Sequence, residues 1–123
     1  MGNVAMISGN IIYDSELRTS SGGNGHFVPF SVVTDRSFKD RHGQLQKYST
    51  RHRVVVYGTD GYLRNHVVPH AKKGVFVSLV GEIRNKSFLG DDGKKNNLSE
   101  IVVHVPGGSI EFPQPQMPEV QHG

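Results

Sequence analysis

Three cations and a tyrosine occupy odd-numbered positions of residues 47–58, a segment without proline whose glycine stands at its end. Its aromatic and β-branched residues favour a β-strand. Because side chains alternate between the two faces of a strand, Lys47, Arg51, Arg53 and Tyr57 share one face. Cations that meet phosphates and a ring that stacks on a base are what single-stranded nucleic acid requires of a protein. The segment therefore predicts a binding face for such a polymer.

That face has a simpler interpretation as well, because charged strand faces are often only solvated and Tyr57 could lie half-buried at the edge. The opposite face carries Tyr48, Thr50, His52, Val54 and Val56. We expect this second face to pack on a hydrophobic core or against another subunit.

A second predicted strand, residues 75–88, repeats the arrangement of the first. Two cations followed by an aromatic ring end one of its faces: Arg84, Lys86 and Phe88. Phe38, on an earlier predicted strand at residues 27–39, also lies between two cations. A core face would not hold cations without partners, which favours a binding role over burial for these rings.

The distribution of charge is more informative than its total. The chain has 14 Lys and Arg residues against 11 acidic ones, a net charge of only +3. Six of the cations cluster in a short span: Arg36, Lys39, Arg41, Lys47, Arg51 and Arg53. The absence of cysteine excludes a disulfide scaffold and thiolate chemistry. The first residues lack the pattern of a signal peptide or a membrane span, so we expect a cytoplasmic protein.

The wider pattern predicts an all-β domain. We expect strands at residues 3–14, 27–39, 47–58, 75–88 and 96–105, with a short return at 110–112. One helix of two or three turns is predicted within residues 59–73, capped by Thr59 or Asp60 and ended by Pro69. This order is typical of the OB-fold, a five-stranded Greek-key barrel with one short helix between strands three and four. Residues 1–112 would form the domain, and the Pro- and Gln-rich residues 113–123 a disordered tail.

The first predicted strand also indicates self-association. Its residues 4–7 are apolar in succession, and a lone small barrel cannot bury both faces of such a strand. We therefore expect Val4, Met6 and His52, which lies opposite the basic face, at a subunit contact of a homo-oligomer. A tetramer is the expected assembly, and a dimer is the alternative.

Catalytic and metal sites are not predicted. His66 and His70 are four residues apart on the expected helix, but Pro69 interrupts that turn and no cysteine or glutamate completes a tetrahedral ligand set. Asp91-Asp92-Gly93 begins like a calcium loop but lacks its later ligands. With no nucleophile elbow and no P-loop, we expect neither an enzyme nor a cofactor.

Several motifs, taken in order, carry a family resemblance. They are Asn3, Gly9-Asn10-Ile11, Asp14, Glu16-Leu17-Arg18, Phe30-Ser31, the run from Thr50 to Gly58, Gly74, and Val80-Gly81-Glu82-Ile83-Arg84. From about Asn3 to Phe112 the chain resembles the bacterial single-stranded-DNA-binding protein family.

The resemblance implies an OB-fold, an assembly of four copies, and sequence-tolerant binding of single-stranded DNA in replication, recombination and repair. Three rings match positions that stack on bases in the family: Phe38, Tyr57 and Phe88. Arg53, Arg84 and Lys86 match positions that meet phosphate, and His52 matches one near the subunit contact.

The sequence departs from the family in three places. The family usually has tryptophan where Arg51 stands, so Arg51 would act by charge or by planar stacking of its guanidinium. Pro29 replaces a small residue within a strand, and the C-terminal residues lack the acidic tip that recruits partner proteins. These departures fit a divergent member encoded by a phage or mobile element, or a truncated chain.

Three other functions remain as alternatives. A primosome-type OB protein would bind single strands but mainly bridge replication proteins, as a dimer with fewer stacking residues. An OB-type adaptor would use the basic face to hold a protein partner. A small hydrolase is the enzymatic alternative, and no group of residues favours it.

Overall fold

The computed structural model describes residues 2–20, 23 and 25–113. The predicted tail, apart from Pro113, lies outside the described residues. The described residues form seven strands: β1 (Ala5–Ile11), β2 (Arg18–Thr19), β3 (His26–Lys39), β4 (Leu45–Gly58), β5 (Phe76–Leu89), β6 (Lys95–His104) and β7 (Ser109–Glu111). Helix α1 lies between β4 and β5. It begins as an α-helical turn, Asp60–Tyr62, and continues as a π-helical turn, Leu63–Val67.

Five of the strands close into a barrel. β1 pairs with β5 and then, at its end, with β3, while β3 pairs with β4, β4 with β6 and β6 with β5. All of these pairs are antiparallel except β4 with β6. The predicted OB-fold is confirmed, with its short helix between the third and fourth barrel strands. Strand β1 is shorter than the predicted 3–14.

The core fills the barrel with the inward residues of each strand. Its largest fully buried side chains on the strands are aliphatic: Ile11, Val28, Val32, Val54, Val56, Val77, Leu79 and Val103. Leu63 and Val67 of α1 add to the same cluster. As predicted, Thr59 caps the helix, because its Oγ1 accepts a hydrogen bond from the Tyr62 amide at 3.2 Å. The helix ends two residues before Pro69.

Gly9 allows β1 to pass from one neighbour to the other. A Cβ at this position would clash with the Val33 carbonyl oxygen of β3. Two backbones therefore approach each other closely at Gly9, which itself stays paired with Val77. Pro29 lies where β3 has a neighbour on one side only, which suits a residue without an amide hydrogen. On one side β3 pairs with β4 throughout, whereas on the other it pairs only at residues 26–27 and 32–33.

Two long hairpins extend from the barrel. The β3–β4 hairpin pairs without interruption from His26–Gly58 to Lys39–Leu45, and the β5–β6 hairpin pairs from Glu82–Val102 to Leu89–Lys95. Beyond the core, most residues of both hairpins are exposed. These projections carry most of the predicted site residues.

Candidate nucleic-acid interface

The predicted basic face of β4 is exposed to solvent. Strand alternation places Lys47, Arg51 and Arg53 on this face, and all three side chains are exposed. The described part of the chain contains three ion pairs, Arg18–Glu16, Arg64–Asp60 and Arg84–Glu100. None of these involves the three cations of the β4 face, which therefore remain available to an anionic ligand.

Tyr57 lies at the barrel end of that face inside an aromatic cluster. Its ring centroid is 5.3 Å from the stacked His104 ring and 5.9 Å from the Phe27 ring. The Arg84 guanidinium lies 5.7 Å from the same centroid. Tyr57 is half-buried. Its predicted role as a stacking platform therefore requires a base to share the ring with His104 or Arg84.

Arg84 already binds two partners within the protein. It donates to Glu100 Oε1 at 2.9 Å and to the Tyr57 hydroxyl oxygen at 3.2 Å. Hydrogen bonds to Tyr57 and to Glu100 raise the pKa of Arg84 above its ordinary value. The side chain of Glu100 is 1% exposed, so this acid depends on Arg84 for its charge partner. The predicted phosphate contact of Arg84 thus competes with a structural one.

The end of the β3–β4 hairpin carries a second cluster, which we call the tip cluster: Phe38, Tyr48 and Arg36. The rings of Phe38 and Tyr48 are stacked with centroids 5.5 Å apart, and the Arg36 guanidinium lies 6.0 Å from the Phe38 centroid. By alternation these residues lie on the face opposite Lys47. Tyr48 is 59% exposed. The sequence analysis placed it on a packing face and missed it as a candidate platform.

The β5–β6 hairpin presents the predicted pair Lys86 and Phe88. Both side chains are exposed and share one face with Arg84. Phe88 is 50% exposed and, within the described residues, has no aromatic or cationic partner. It is the freest of the three predicted stacking rings.

Tyr13 is a second residue that the sequence analysis missed. Its hydroxyl lies 2.9 Å from the Ser31 hydroxyl and accepts a hydrogen bond from Arg51 Nη2 at 3.2 Å. The Arg51 guanidinium lies 5.7 Å from the Tyr13 ring centroid. The hydrogen bond with Ser31 and, to a smaller degree, that with Arg51 lower the pKa of Tyr13, and the partial burial of its hydroxyl opposes this shift without cancelling it. The Arg51 guanidinium therefore has an aromatic neighbour inside the protein.

The predicted subunit-contact residues lie at and just before β1 and on the face of β4 opposite Arg51 and Arg53. Val4 and Met6 are each 71% exposed. The His52 Nε2 atom lies 3.0 Å from the Thr34 hydroxyl. Met6, His52 and Ile83 line a groove of about 370 Å³. The groove joins Met6 of β1 to His52 and is also lined by Arg51 and Arg53, whereas Val4 is not among its lining residues.

Neither a metal site nor a membrane span is found in the part of the chain that the structure describes. No three His, Asp or Glu side chains lie close enough there to hold a metal ion. The His70 ring nitrogen lies 3.1 Å from the His66 carbonyl oxygen, a local helix contact. No described helix has the length and apolarity needed to cross a membrane.

The chain is similar in sequence to known single-stranded DNA-binding proteins. The single-strand binding protein family model matches residues 2–112. Single-stranded DNA-binding protein 1 of Chlorobaculum tepidum is 33% identical over 103 residues, which cover 81% of this chain and 60% of that protein. The single-stranded DNA-binding protein of Xylella fastidiosa is 29% identical over 100 residues, covering 81% and 58% respectively. The chain thus spans about 60% of the length of the curated relatives it matches.

Solved structures show the same fold. The SSB of Plasmodium falciparum in complex with ssDNA superposes with a TM-score of 0.79 at 23% identity, covering 93% of this chain and 96% of that one. A deletion mutant of the single-stranded DNA binding protein of Thermus aquaticus gives a TM-score of 0.70 at 17% identity, covering 93% and 51%. Since the family model spans nearly the whole chain, the protein belongs to the single-strand binding protein family.

Proposed function

We propose that this protein binds single-stranded DNA with little sequence preference and protects and organises it in replication, recombination and repair. One observation carries the proposal. Cations without ion-pair partners among the described residues alternate with exposed aromatic rings on two hairpins that project from one barrel. Such a surface suits a flexible polyanion whose bases are free to stack.

The proposed contacts divide by chemistry. Phe38, Tyr57 and Phe88 stack on bases, and the tip cluster extends the Phe38 platform with Tyr48. Phosphate contacts come from exposed cations: Arg36, Lys47, Arg51, Arg53, Arg84 and Lys86. Stacking platforms bind any base because every base has a π-face, and phosphates are the same at every position. Low sequence preference follows from this division.

We propose that the protein acts as a homo-oligomer, most simply a tetramer. The exposed apolar side chains of Val4, Met6 and Ile83, with the groove that joins Met6 to His52, offer an area that a second copy would cover. Light scattering should give a mass several times the 13.6 kDa of one chain. A mass of one chain at micromolar protein would contradict the proposal.

The remaining assignments follow from the binding role. We propose that residues 1–112 contain the DNA-binding function, without catalysis or cofactor, and that the protein acts in the cytoplasm at replication forks. Residues 113–123 carry one acid, Glu119, and give little charge for recruiting a basic partner. A chain ending at residue 112 should therefore bind dT oligonucleotides as tightly as the full chain.

Titration of fluorescent oligonucleotides tests the proposed function. Homopolymer dT and a mixed single-stranded sequence of equal length should bind with similar affinity. Added salt should weaken both, because bound phosphates release counterions. A preference of a hundredfold for one sequence, or no binding to either, would contradict the proposal.

A further inference from the structure

Tyr13 lies beside a polar groove that shares Arg53 with the proposed phosphate contacts but has so far been assigned no base. The groove has a volume of about 550 Å³ and lies between the β1–β2 connection and the outward surface of β3 and β4. This volume is within the range of small-molecule sites, about 300–1,000 Å³. Among its lining residues are Tyr13, Ser31 and Arg53.

The Tyr13 ring is fixed and still accessible. Its hydroxyl is held by Ser31, which is 1% exposed, and by Arg51, while the side chain as a whole remains 44% exposed. A ring held in one orientation loses little conformational freedom when a base stacks on it. The geometry therefore provides a preorganised platform rather than a core residue.

The charges around the groove favour an anion at one position. Three cations and two carboxylates line it: Arg18, Arg53, Lys72, Asp14 and Glu16. The two acids are already engaged, because Asp14 Oδ1 accepts from the Lys73 amide at 2.9 Å and Glu16 lies 3.9 Å from Arg18. Arg53 and Lys72 have no ion-pair partner among the described residues. Asp14 keeps its charge, because the Lys73 amide is neutral, but the three cations outnumber the two carboxylates and the lining is positive on balance.

We propose that this groove binds one nucleotide of the single strand, with its base stacked on Tyr13 and its phosphate against Arg53. This proposal rests on the proposed function and adds a site to it. Arg53 and Tyr57 are four residues apart on the same face of β4, about 13 Å along a strand. The strand of DNA therefore continues past the Tyr57 cluster to the β1–β2 connection, and Arg51 links the two by orienting the Tyr13 ring.

Three variants test the proposal by affinity for a dT oligonucleotide. Tyr13→Ala should weaken binding about tenfold, the effect of losing one stacked base. Tyr13→Phe retains the ring and should stay within about threefold of the wild type, since stacking does not need the hydroxyl. Phe76→Ala is the matched control, because Phe76 is 40% exposed on β5 and lacks a cationic partner among the described residues. It should bind like the wild type.

Cross-linking supplies a readout that does not depend on affinity. A dT oligonucleotide containing 5-iododeoxyuridine, irradiated on the wild-type protein, should attach to the peptide that contains Tyr13. The same peptide should be unlabelled in Tyr13→Ala, with its fold checked by circular dichroism. Equal binding by Tyr13→Ala and the wild type, equal losses in Tyr13→Ala and Tyr13→Phe, or labelling only at other peptides would overturn the proposal. Failure of the wild type to bind dT would instead overturn the proposed function.

Discussion

The β3–β4 hairpin turns at residues 40–44 and the β5–β6 hairpin turns at residues 90–94 through the same backbone hydrogen bonds. In each, the first residue of the turn donates its amide hydrogen to the carbonyl oxygen of the fifth residue, and its own carbonyl oxygen accepts from the amide of the fourth. The fourth residue is Gly43 in one and Gly93 in the other, with φ values of 78° and 77° that suit glycine. The two projections are therefore built alike in their main chain.

Their side chains differ at the first residue of the turn. Asp40 accepts from the amides of His42 at 2.8 Å and Gln44 at 2.9 Å, and from Gln46 Nε2 at 3.0 Å. The equivalent residue in the other hairpin is Gly90, which has no side chain to accept such bonds. There, Asp92 accepts one bond, from the Lys94 amide at 2.9 Å. The turn at residues 40–44 is thus stabilised by more side-chain hydrogen bonds than the turn at residues 90–94.

The aromatic rings of the two hairpins also differ in how many partners they contact. Phe38 is stacked on Tyr48 beside a cation, whereas Phe88 has no such partner among the described residues. The first hairpin offers a two-ring platform that exists before DNA arrives. The second offers one free ring, which must be ordered when a base binds and loses side-chain entropy in doing so. Comparing the two hairpins therefore shows how much binding free energy a lone ring contributes and how much a ring contributes when it is stacked on a neighbouring ring.

Loss of the free ring should have the largest effect. Phe88→Ala should weaken binding of a dT oligonucleotide by about 1–3 kcal/mol, the range for one stacked base. Phe38→Ala should cost less than half as much, because Tyr48 remains as a platform. Leu89→Ala, also exposed but on the other face of β5, is the control and should bind like the wild type. Equal losses of affinity in Phe38→Ala and Phe88→Ala would show that Tyr48 cannot replace Phe38 as a stacking platform.

Arg84→Ala should reduce stability more than the other cation variants do. It leaves the buried Glu100 without its partner, and an unsatisfied buried group costs about 1–3 kcal/mol. Urea unfolding measures the change, and Lys86→Ala on the same face is the control with an expected change near zero. If Arg84→Ala unfolds at the same urea concentration as Lys86→Ala, Glu100 does not depend on Arg84.

The salt dependence of binding distinguishes phosphate contacts from structural cations. Arg53→Ala and Lys86→Ala should each reduce the slope of log K against log salt concentration by about 0.7, the value for one phosphate on a single strand. The change for Arg84→Ala should be smaller, because Glu100 already offsets that charge. Slopes that match for all three variants would assign Arg84 an ordinary phosphate contact.

The smallest predicted effect concerns the two turns. Hydrogen bonds from the Gln44 amide, from Gln46 and from the His42 amide lower the pKa of Asp40. A carboxyl group with a lowered folded-state pKa stabilises its turn above its ordinary pKa, and this stabilisation is lost as the pH falls through the folded-state value. Exchange of the Gln44 amide hydrogen should therefore quicken in acid, beyond its intrinsic pH dependence. Asp40→Asn should abolish this extra response, and its persistence in that variant would assign it to another group.

Much of the fold could be predicted because strand alternation is a local signal. The inward residues Val54 and Val56 and the outward Arg84, Lys86 and Phe88 follow directly from a period of two. The helix position also has a local cause, since Thr59 caps its start and Pro69 prevents its extension.

Contacts between distant parts of the chain could not be predicted in this way. Tyr13 and Arg51 are 38 residues apart, and they meet only because β1 crosses to β3 at Gly9. Alternation placed Tyr48 correctly opposite Lys47 but gave no sign that the hairpin leaves the core at that point and exposes both faces. The ion pair between Arg84 and Glu100 depends on the register of β5 with β6, and no local sequence pattern specifies that register.

Competition between single and double strands tests the central claim most directly. A labelled dT oligonucleotide bound to the protein is displaced by unlabelled dT or by duplex DNA of equal length at the same salt concentration. Stacking needs unpaired bases, so dT should displace the label at a concentration at least a hundredfold lower than duplex DNA. Displacement by both at the same concentration would show that charge alone binds the label, and would contradict the account.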